Sequence, residues 1–384
     1  MKKTLLAVSL ALISSVSVAQ GNNVTLYGIV DAGMRTDTAA NANGDSRTQM
    51  ISGGQSPSLF GIRGTEDLGN GLSAKFRLES GFLITNGTLN QSGSTGTVLF
   101  DRQAWVGLAD KTAGEVQLGR NTTAAWDQAL AGVTDPLRFA LEGAGVPVVV
   151  NNATYGVNAL RVNQVSTAAN STNGYKNSRS DGMIKYLNSF GPVAVTAGYA
   201  PGGVTASNAK DSYNLGAVVS LKDVKLGANI FNAKDAASKE LKQWAAGGNY
   251  QIGKTTLTAS YTNIQTDAGY VAANLTTTAT YAGPVLGTTA TTGPSTEAKI
   301  MALGVKYDFT PKISSTLAFY NGNYSNGVGS SGNLKTYALF NTYALSKRTN
   351  LYGSLDFADA DGALTSSSVK NTNTGITVGM RHFF

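Results

Sequence analysis

Apolar and polar side chains alternate one by one over much of the chain. Leu72, Ala74, Phe76 and Leu78 interleave with Ser73, Lys75, Arg77 and Glu79; Val224, Leu226, Ala228 and Ile230 interleave with Lys225, Gly227 and Asn229; Ile313, Ser315, Leu317 and Phe319 share one face. A period of two belongs to a strand, whose successive side chains point to opposite faces. Runs of this kind predict sixteen strands, near 24–34, 58–66, 72–83, 98–108, 114–120, 181–188, 193–200, 211–221, 224–233, 241–251, 255–263, 297–308, 313–321, 334–344, 349–358 and 374–384. All eight prolines, Pro57, Pro136, Pro147, Pro192, Pro201, Pro284, Pro294 and Pro311, fall between these runs. That is expected of a residue that cannot donate to a strand ladder.

The connections alternate in length. Tight turns such as Asp67-Leu68-Gly69-Asn70-Gly71, Leu221-Lys222-Asp223, Ile252-Gly253-Lys254 and Thr310-Pro311-Lys312 alternate with long loops rich in Gly, Ser, Thr and Asn near 35–57, 84–97, 121–180, 264–296, 322–333 and 359–373. An even number of strands of about ten residues, with short turns at one end and long loops at the other, describes an all-β, 16-stranded antiparallel transmembrane β-barrel of the bacterial outer membrane. Closure has a physical reason, because lipid offers no partner to an unpaired sheet edge. The last residues, with Ile376, Val378, Met380, His382 and Phe384 on one face, form a strand expected to close the barrel against 24–34. A secreted β-sandwich or a non-conducting adhesin has the same alternation; the rhythm of the loops and the terminal strand favour the barrel.

Composition narrows the chemistry. Among 384 residues there is no Cys, one His, 45 Gly and only 14% charged side chains. Without thiolates and with a lone His there is no disulfide framework, no His/Cys metal centre and no Cys nucleophile, and no cofactor is implied. An enzyme is not expected: His382 sits at the very end of the chain and reads as a residue of the barrel rim. The formal charge of +7 is scattered, with Lys2-Lys3 and Lys347-Arg348 the only adjacent basic pairs, so the footprint of a nucleic-acid binder is absent. Met1-Lys2-Lys3, the apolar stretch Leu5 to Val18 and the small-residue site Ser17-Val18-Ala19 read as a signal peptide over 1–19, leaving 20–384 as the barrel. Gly327-Val328-Gly329-Ser330-Ser331-Gly332 spells a dinucleotide motif, but a strand follows where a helix is required. Tyr250, Tyr261, Tyr307 and Tyr343 suit the aromatic girdle of a barrel.

Several stretches are similar to the trimeric general porins of Gram-negative outer membranes, their β-proteobacterial branch above all. Val24-Thr25-Leu26-Tyr27-Gly28-Ile29-Val30-Asp31-Ala32-Gly33 resembles the first strand of that family, and Phe60-Gly61-Ile62-Arg63-Gly64-Thr65-Glu66-Asp67-Leu68-Gly69-Asn70-Gly71-Leu72 its second hairpin. Arg102-Gln103-Ala104-Trp105-Val106-Gly107-Leu108 followed by Leu118-Gly119-Arg120, and Tyr343-Ala344-Leu345-Ser346-Lys347-Arg348-Thr349-Asn350-Leu351-Tyr352, continue the likeness to the ending Arg381-His382-Phe383-Phe384. The resemblance implies a passive diffusion channel for small hydrophilic solutes and inorganic ions, assembled as a homotrimer in outer-membrane lipid and lipopolysaccharide. It also implies a terminal strand, with Met380, His382 and Phe384, that is read by the outer-membrane assembly machinery, and a long third loop folded into the pore.

The segment 121–180 supplies such a loop. It has no strand alternation, Thr123 to Leu130 can make a helical turn or two, and Val148-Val149-Val150 is poorly placed in open water. The resemblance assigns Arg102 and Arg179 to the pore wall; parity alone adds Lys75 and Arg77, and the loop's carboxylates Asp127, Asp135 and Glu142 supply the acidic side of the constriction. Leu59 stands where many relatives carry a wall arginine, so the basic ladder is one rung short. The loop still carries Arg138, Arg161, Lys176 and Arg179 against three acids. Rings of basic side chains favour anions, so a mild anion preference is expected. A substrate-specific porin remains the alternative among channels.

Overall fold

The computed structural model describes residues 23–39, 44–89, 98–138, 140, 178–202, 210–268, 270, 296–326, 329, 331–362 and 371–384. The proposed signal peptide over 1–19 lies outside them, as do Pro147, Pro284 and Pro294 and the stretch Val148-Val149-Val150. Strands β1 (Asn23–Asp37), β2 (Arg47–Ser52), β3 (Leu59–Gly69), β4 (Leu72–Gly81), β5 (Gln103–Asp110) and β6 (Gly114–Thr122) precede helix α1 (Ala124–Leu130). Then follow β7 (Arg179–Phe190), β8 (Val193–Ala200), β9 (Ser212–Ser220), β10 (Val224–Lys234), β11 (Glu240–Ile252) and β12 (Thr255–Thr266). The round is completed by β13 (Thr296–Thr310), β14 (Ile313–Asn326), β15 (Ser331–Ala344), β16 (Thr349–Ala360) and β17 (Thr372–Phe383).

These strands make sixteen staves of a closed antiparallel barrel. β2 and β3 occupy a single stave, because both pair with the same edge of β1: Asn23 to Ile29 face Thr65 to Leu59, and Ala32 to Asp37 face Ser52 to Arg47. The other edge of β1 is sealed by β17, from Ile29 opposite Phe383 to Asp37 opposite Gly375. First and last strands thus close the sheet, as the terminal alternation predicts.

Side-chain exposure gives the two faces. Outward residues are large, apolar and open, such as Val378 at 59% and Leu226 at 54%, while inward Thr377 on the same strand as Val378 is at 0%. Such an outside suits hydrocarbon, and it is banded by rings. Tyr250, Tyr307 and Tyr343 lie near the short turns, whereas Tyr261 belongs to a second ring with Trp244, their ring centroids 5.4 Å apart. Tyr337 stands six residues above Tyr343 on the same face of β15, about 20 Å along a strand at its usual rise.

Three boundaries depart from the sequence reading. The expected loop 35–57 contains β2 and the top of β1, the fourth strand starts at Gln103 instead of 98, and the expected loop 322–333 shrinks because β14 runs to Asn326 and β15 starts at Ser331. The reason is common to β2 and the top of β14: above the lipid band an outward position can be polar, and alternation disappears although the strand continues. Arg47-Thr48-Gln49 and Asn321-Gly322-Asn323 are of this kind.

The gap in the second stave is built by Asp31. Its buried carboxylate accepts from the backbone N–H groups of Gly54 (3.0 Å), Gln55 (3.0 Å) and Ser56 (2.7 Å) and from the Tyr352 hydroxyl (2.6 Å). Residues 53–58 are thereby drawn onto the inner wall, where Ser56 Oγ accepts from Arg381 at 2.7 Å. Pro57, which cannot donate to a ladder, sits in this excursion.

Candidate functional site

The chain leaves β6 and turns into the barrel. Thr123 caps α1 by accepting from the Trp126 N–H at 3.4 Å, and Asp127 in the first turn complements the positive end of the helix. The helix lies flat on the inner wall. Asn214 of β9 accepts from the Ala124 N–H at 3.0 Å, and Gln128 donates to the carbonyls of Ala217 (3.1 Å) and Ala228 (2.8 Å) while accepting from Asn229 (2.8 Å). Two glycines make the approach possible. A Cβ at Gly216 would stand 2.7 Å from that of Ala124, and one at Gly227 would stand 2.8 Å from Val133 Cγ1.

Beyond the helix the loop crosses the lumen wall stave by stave. Asn249 of β11 donates to the Gly132 carbonyl at 2.9 Å, Ser260 of β12 to that of Thr134 at 2.8 Å, and Tyr320 of β14 to the carboxylate of Asp135 at 2.6 Å. Leu137 and Ala140 then join a buried cluster with Ile300, Ala302, Tyr320, Phe340 and Tyr352. The apolar core of this barrel is therefore inside it, between loop and wall. The continuation of the loop, with Glu142, Arg161 and Lys176, lies outside the described residues.

The charged residues sort into two levels. Arg102, one residue before β5, donates from Nε to Glu79 at 2.7 Å, and Glu79 also accepts from the Tyr27 hydroxyl at 2.8 Å. Arg179, the first residue of β7, is buried with its Cζ 4.5 Å above the Trp126 ring, and its Nε and Nη2 have no hydrogen-bond partner among the described residues. Nearer the short turns, Lys75 pairs with Glu115 at 2.8 Å and Asp127 with Lys185 at 2.7 Å. There the guanidiniums of Arg63 and Arg77 rest on the ring of Tyr27, 5.2 and 5.6 Å from its centroid.

Lys75, Arg77 and Asp127 come together around a cavity of about 770 Å³, whose lining also includes Arg63, Trp105, Glu115, Lys185 and Lys225. Arg102, Arg179 and Asp135 do not line it. Asp135 is fully buried against Tyr320 and the Leu137 N–H, 2.9 Å away, so its place is an anchorage of the loop to the wall. Leu59, at the position of the missing rung, is inward-facing and 6% exposed. Sequence reasoning passed over Arg63, Glu115 and Lys185. The parity of Leu59, Gly61, Arg63 and Thr65 could have found the first, but the pairing of Lys185 with Asp127 spans 58 positions and leaves no local trace.

At the far end of the chain Met380 and His382 share one face of β17, and Phe384, just past the strand, continues their parity, with Met380 and Phe384 exposed. The last residue is held by reciprocal backbone hydrogen bonds between Phe384 and Gly28, both 3.2 Å, with its ring over the glycine. His382 Nδ1 lies 2.8 Å from Thr349 Oγ1.

A wet-walled barrel, apolar outside and narrowed by its own loop, has clear relatives. Residues 6–363 match the Gram-negative porin family. The chain is 30% identical over its whole length, and over the whole of the other protein, to an outer membrane porin protein of Bordetella pertussis. An anion-selective porin from Comamonas acidovorans superposes with a TM-score of 0.69 at 22% identity, and a trimer form of OmpT of Vibrio cholerae with 0.62 at 13%, each match covering 95% of this chain and 100% of the other. The chain belongs to the Gram-negative porin family and is a diffusion channel of the outer membrane.

Proposed function

We propose that this channel passes small hydrophilic solutes and ions without chemistry and prefers anions, working as a homotrimer in outer-membrane lipid and lipopolysaccharide. In this reading residues 1–19 direct export, and the terminal strand with Met380, His382 and Phe384 is what the assembly machinery recognises. One observation supports the anion preference above others. The carboxylates in the cavity wall, Glu115 and Asp127, are each tied to a lysine, at 2.8 and 2.7 Å, while Arg63, Arg77 and Lys225 are in no ion pair among the described residues. Charge on a narrow wet wall selects the ion of opposite sign.

The test is a reversal potential. Refolded protein inserted in a planar bilayer under a KCl gradient is expected to give triplet conductance steps and an anion-leaning potential. Replacing Arg102 and Arg179 by Gln is expected to move that potential toward the cation side, both by removing charge and by releasing Glu79 from Arg102. An unchanged potential would remove these two arginines from the selectivity device. Single rather than triplet steps would count against the trimer.

A further inference from the structure

Arg63 and Arg77 are direct cross-strand partners on β3 and β4, and both face the lumen. Side chains so placed have Cβ atoms about 4.5–5.5 Å apart, and like charges opposite one another destabilise a sheet unless something compensates them. Among the described residues nothing on the wall does. Glu79 is held by Arg102 at 2.7 Å, Glu115 by Lys75 and Asp127 by Lys185, and the two guanidiniums share only the ring of Tyr27, whose hydroxyl is turned to Glu79. A ring quadrupole attracts a cation but does not neutralise two. Trp105 continues the row, opposite Arg77 on β5, and places a partly buried indole in the cavity lining beside the pair.

We propose that Arg63 and Arg77 form a binding station for a doubly charged oxyanion of the phosphate-monoester class, with Trp105 receiving an organic ring attached to it. The proposal rests on the anion-preferring reading of the channel and adds a ligand to it. Two forks of fixed positive charge match a tetrahedral dianion, which can give each guanidinium its own pair of oxygens. Chloride has one charge and no such geometry, so it passes through the same field without being held. The cavity of about 770 Å³ sets the scale of the ligand, a small solute and not a polymer. A station of this kind concentrates phosphorylated solutes at the constriction and carries their flux at low concentration, at the cost of saturation at high concentration.

The experiment is conductance as a function of concentration, in potassium chloride and in potassium phosphate at a pH where the dianion dominates. The expected result is a chloride conductance that rises in proportion to concentration and a phosphate conductance that levels off. The combined R63Q and R77Q substitutions are expected to raise the half-saturating phosphate concentration about tenfold or more, the loss of charge-assisted hydrogen bonds. The R63K and R77K pair, which keeps charge without the fork, should fall between. Phenyl phosphate is expected to half-saturate at a lower concentration than inorganic phosphate, a difference that W105L abolishes.

A phosphate conductance that stays linear in the unmodified protein would overturn the proposal without recourse to any variant, so a variant that does not fold leaves it exposed to refutation. Saturation that persists unchanged in R63Q/R77Q would overturn it too. A cation-leaning reversal potential in KCl would instead defeat the anion preference, and that result is separate from the shape of the phosphate curve.

Discussion

At Arg35 a full positive charge sits where no water reaches. The side chain is at 0% exposure and donates to Asp37 (2.9 Å), to both carboxylate oxygens of Asp356 (2.9 and 2.8 Å) and to Thr377 (3.0 Å). The three strands it ties together, β1, β16 and β17, are those that meet where the barrel closes. Gly375 leaves room for the guanidinium, since any Cβ there would collide with it. Removing one member of a buried ion pair leaves the others charged and unpaired, which typically costs about 3–5 kcal/mol. Arg35→Ala should therefore lower the stability of the folded barrel by about that amount, read as a shift of the urea unfolding midpoint in lipid vesicles. Arg35→Lys retains charge but not the two-pronged contact, and should fall between. A midpoint unmoved by Arg35→Ala would mean that the seam is held by its ladder alone. None of this was legible in the sequence beyond the parity that turns Arg35 inward, because its partner Asp356 lies 321 residues away.

Among elements, α1 and the wall beneath it illustrate how bore is set. The helix rests on Gly216 and Gly227, and a methyl group at either would approach Ala124 or Val133 to less than 3 Å, where ordinary contact needs 3.4 Å or more. Close-packed groups do not absorb such overlap, so the helix, or for Gly227 the turn at Val133 that follows it, must lift by up to about 1 Å into the lumen. Gly216→Ala and Gly227→Ala are expected to lower single-channel conductance while the β-sheet circular dichroism stays unchanged. Gly353→Ala is the control, because a Cβ there meets only the Thr377 carbonyl at 3.7 Å. Equal conductance in all three variants would place the helix's position under other control. The barrel's strands were legible because lipid on one side and water on the other impose a period of two, and legibility failed at β2 and the top of β14, where both sides are polar. The helix was visible only as a turn or two, and its docking could not be read at all. Gln128 reaches carbonyls of Ala217 and Ala228, about a hundred residues downstream, and nothing in a heptapeptide announces that register.

For the whole molecule, the sequence carries +7, but a permeating ion responds to the wall charges within reach and not to that total. Paired charges such as Lys75 with Glu115 cancel within a few ångströms, whereas Arg63 and Arg77, without a carboxylate partner among the described residues, project a field into the cavity. Screening decides how far. The Debye length is about 10 Å at 0.1 M salt and about 3 Å at 1 M, so at low salt the field spans the cavity and at high salt it clings to the wall. Anion preference, measured as the reversal potential under a fixed concentration ratio, should thus be pronounced near 0.1 M KCl and fade toward zero near 1 M. In the R63Q/R77Q variant the low-salt preference should shrink toward the high-salt value, since the removed charges are those that screening suppresses. A preference equal at both salt concentrations would point to size or dehydration as its cause, because neither depends on ionic strength as a field does.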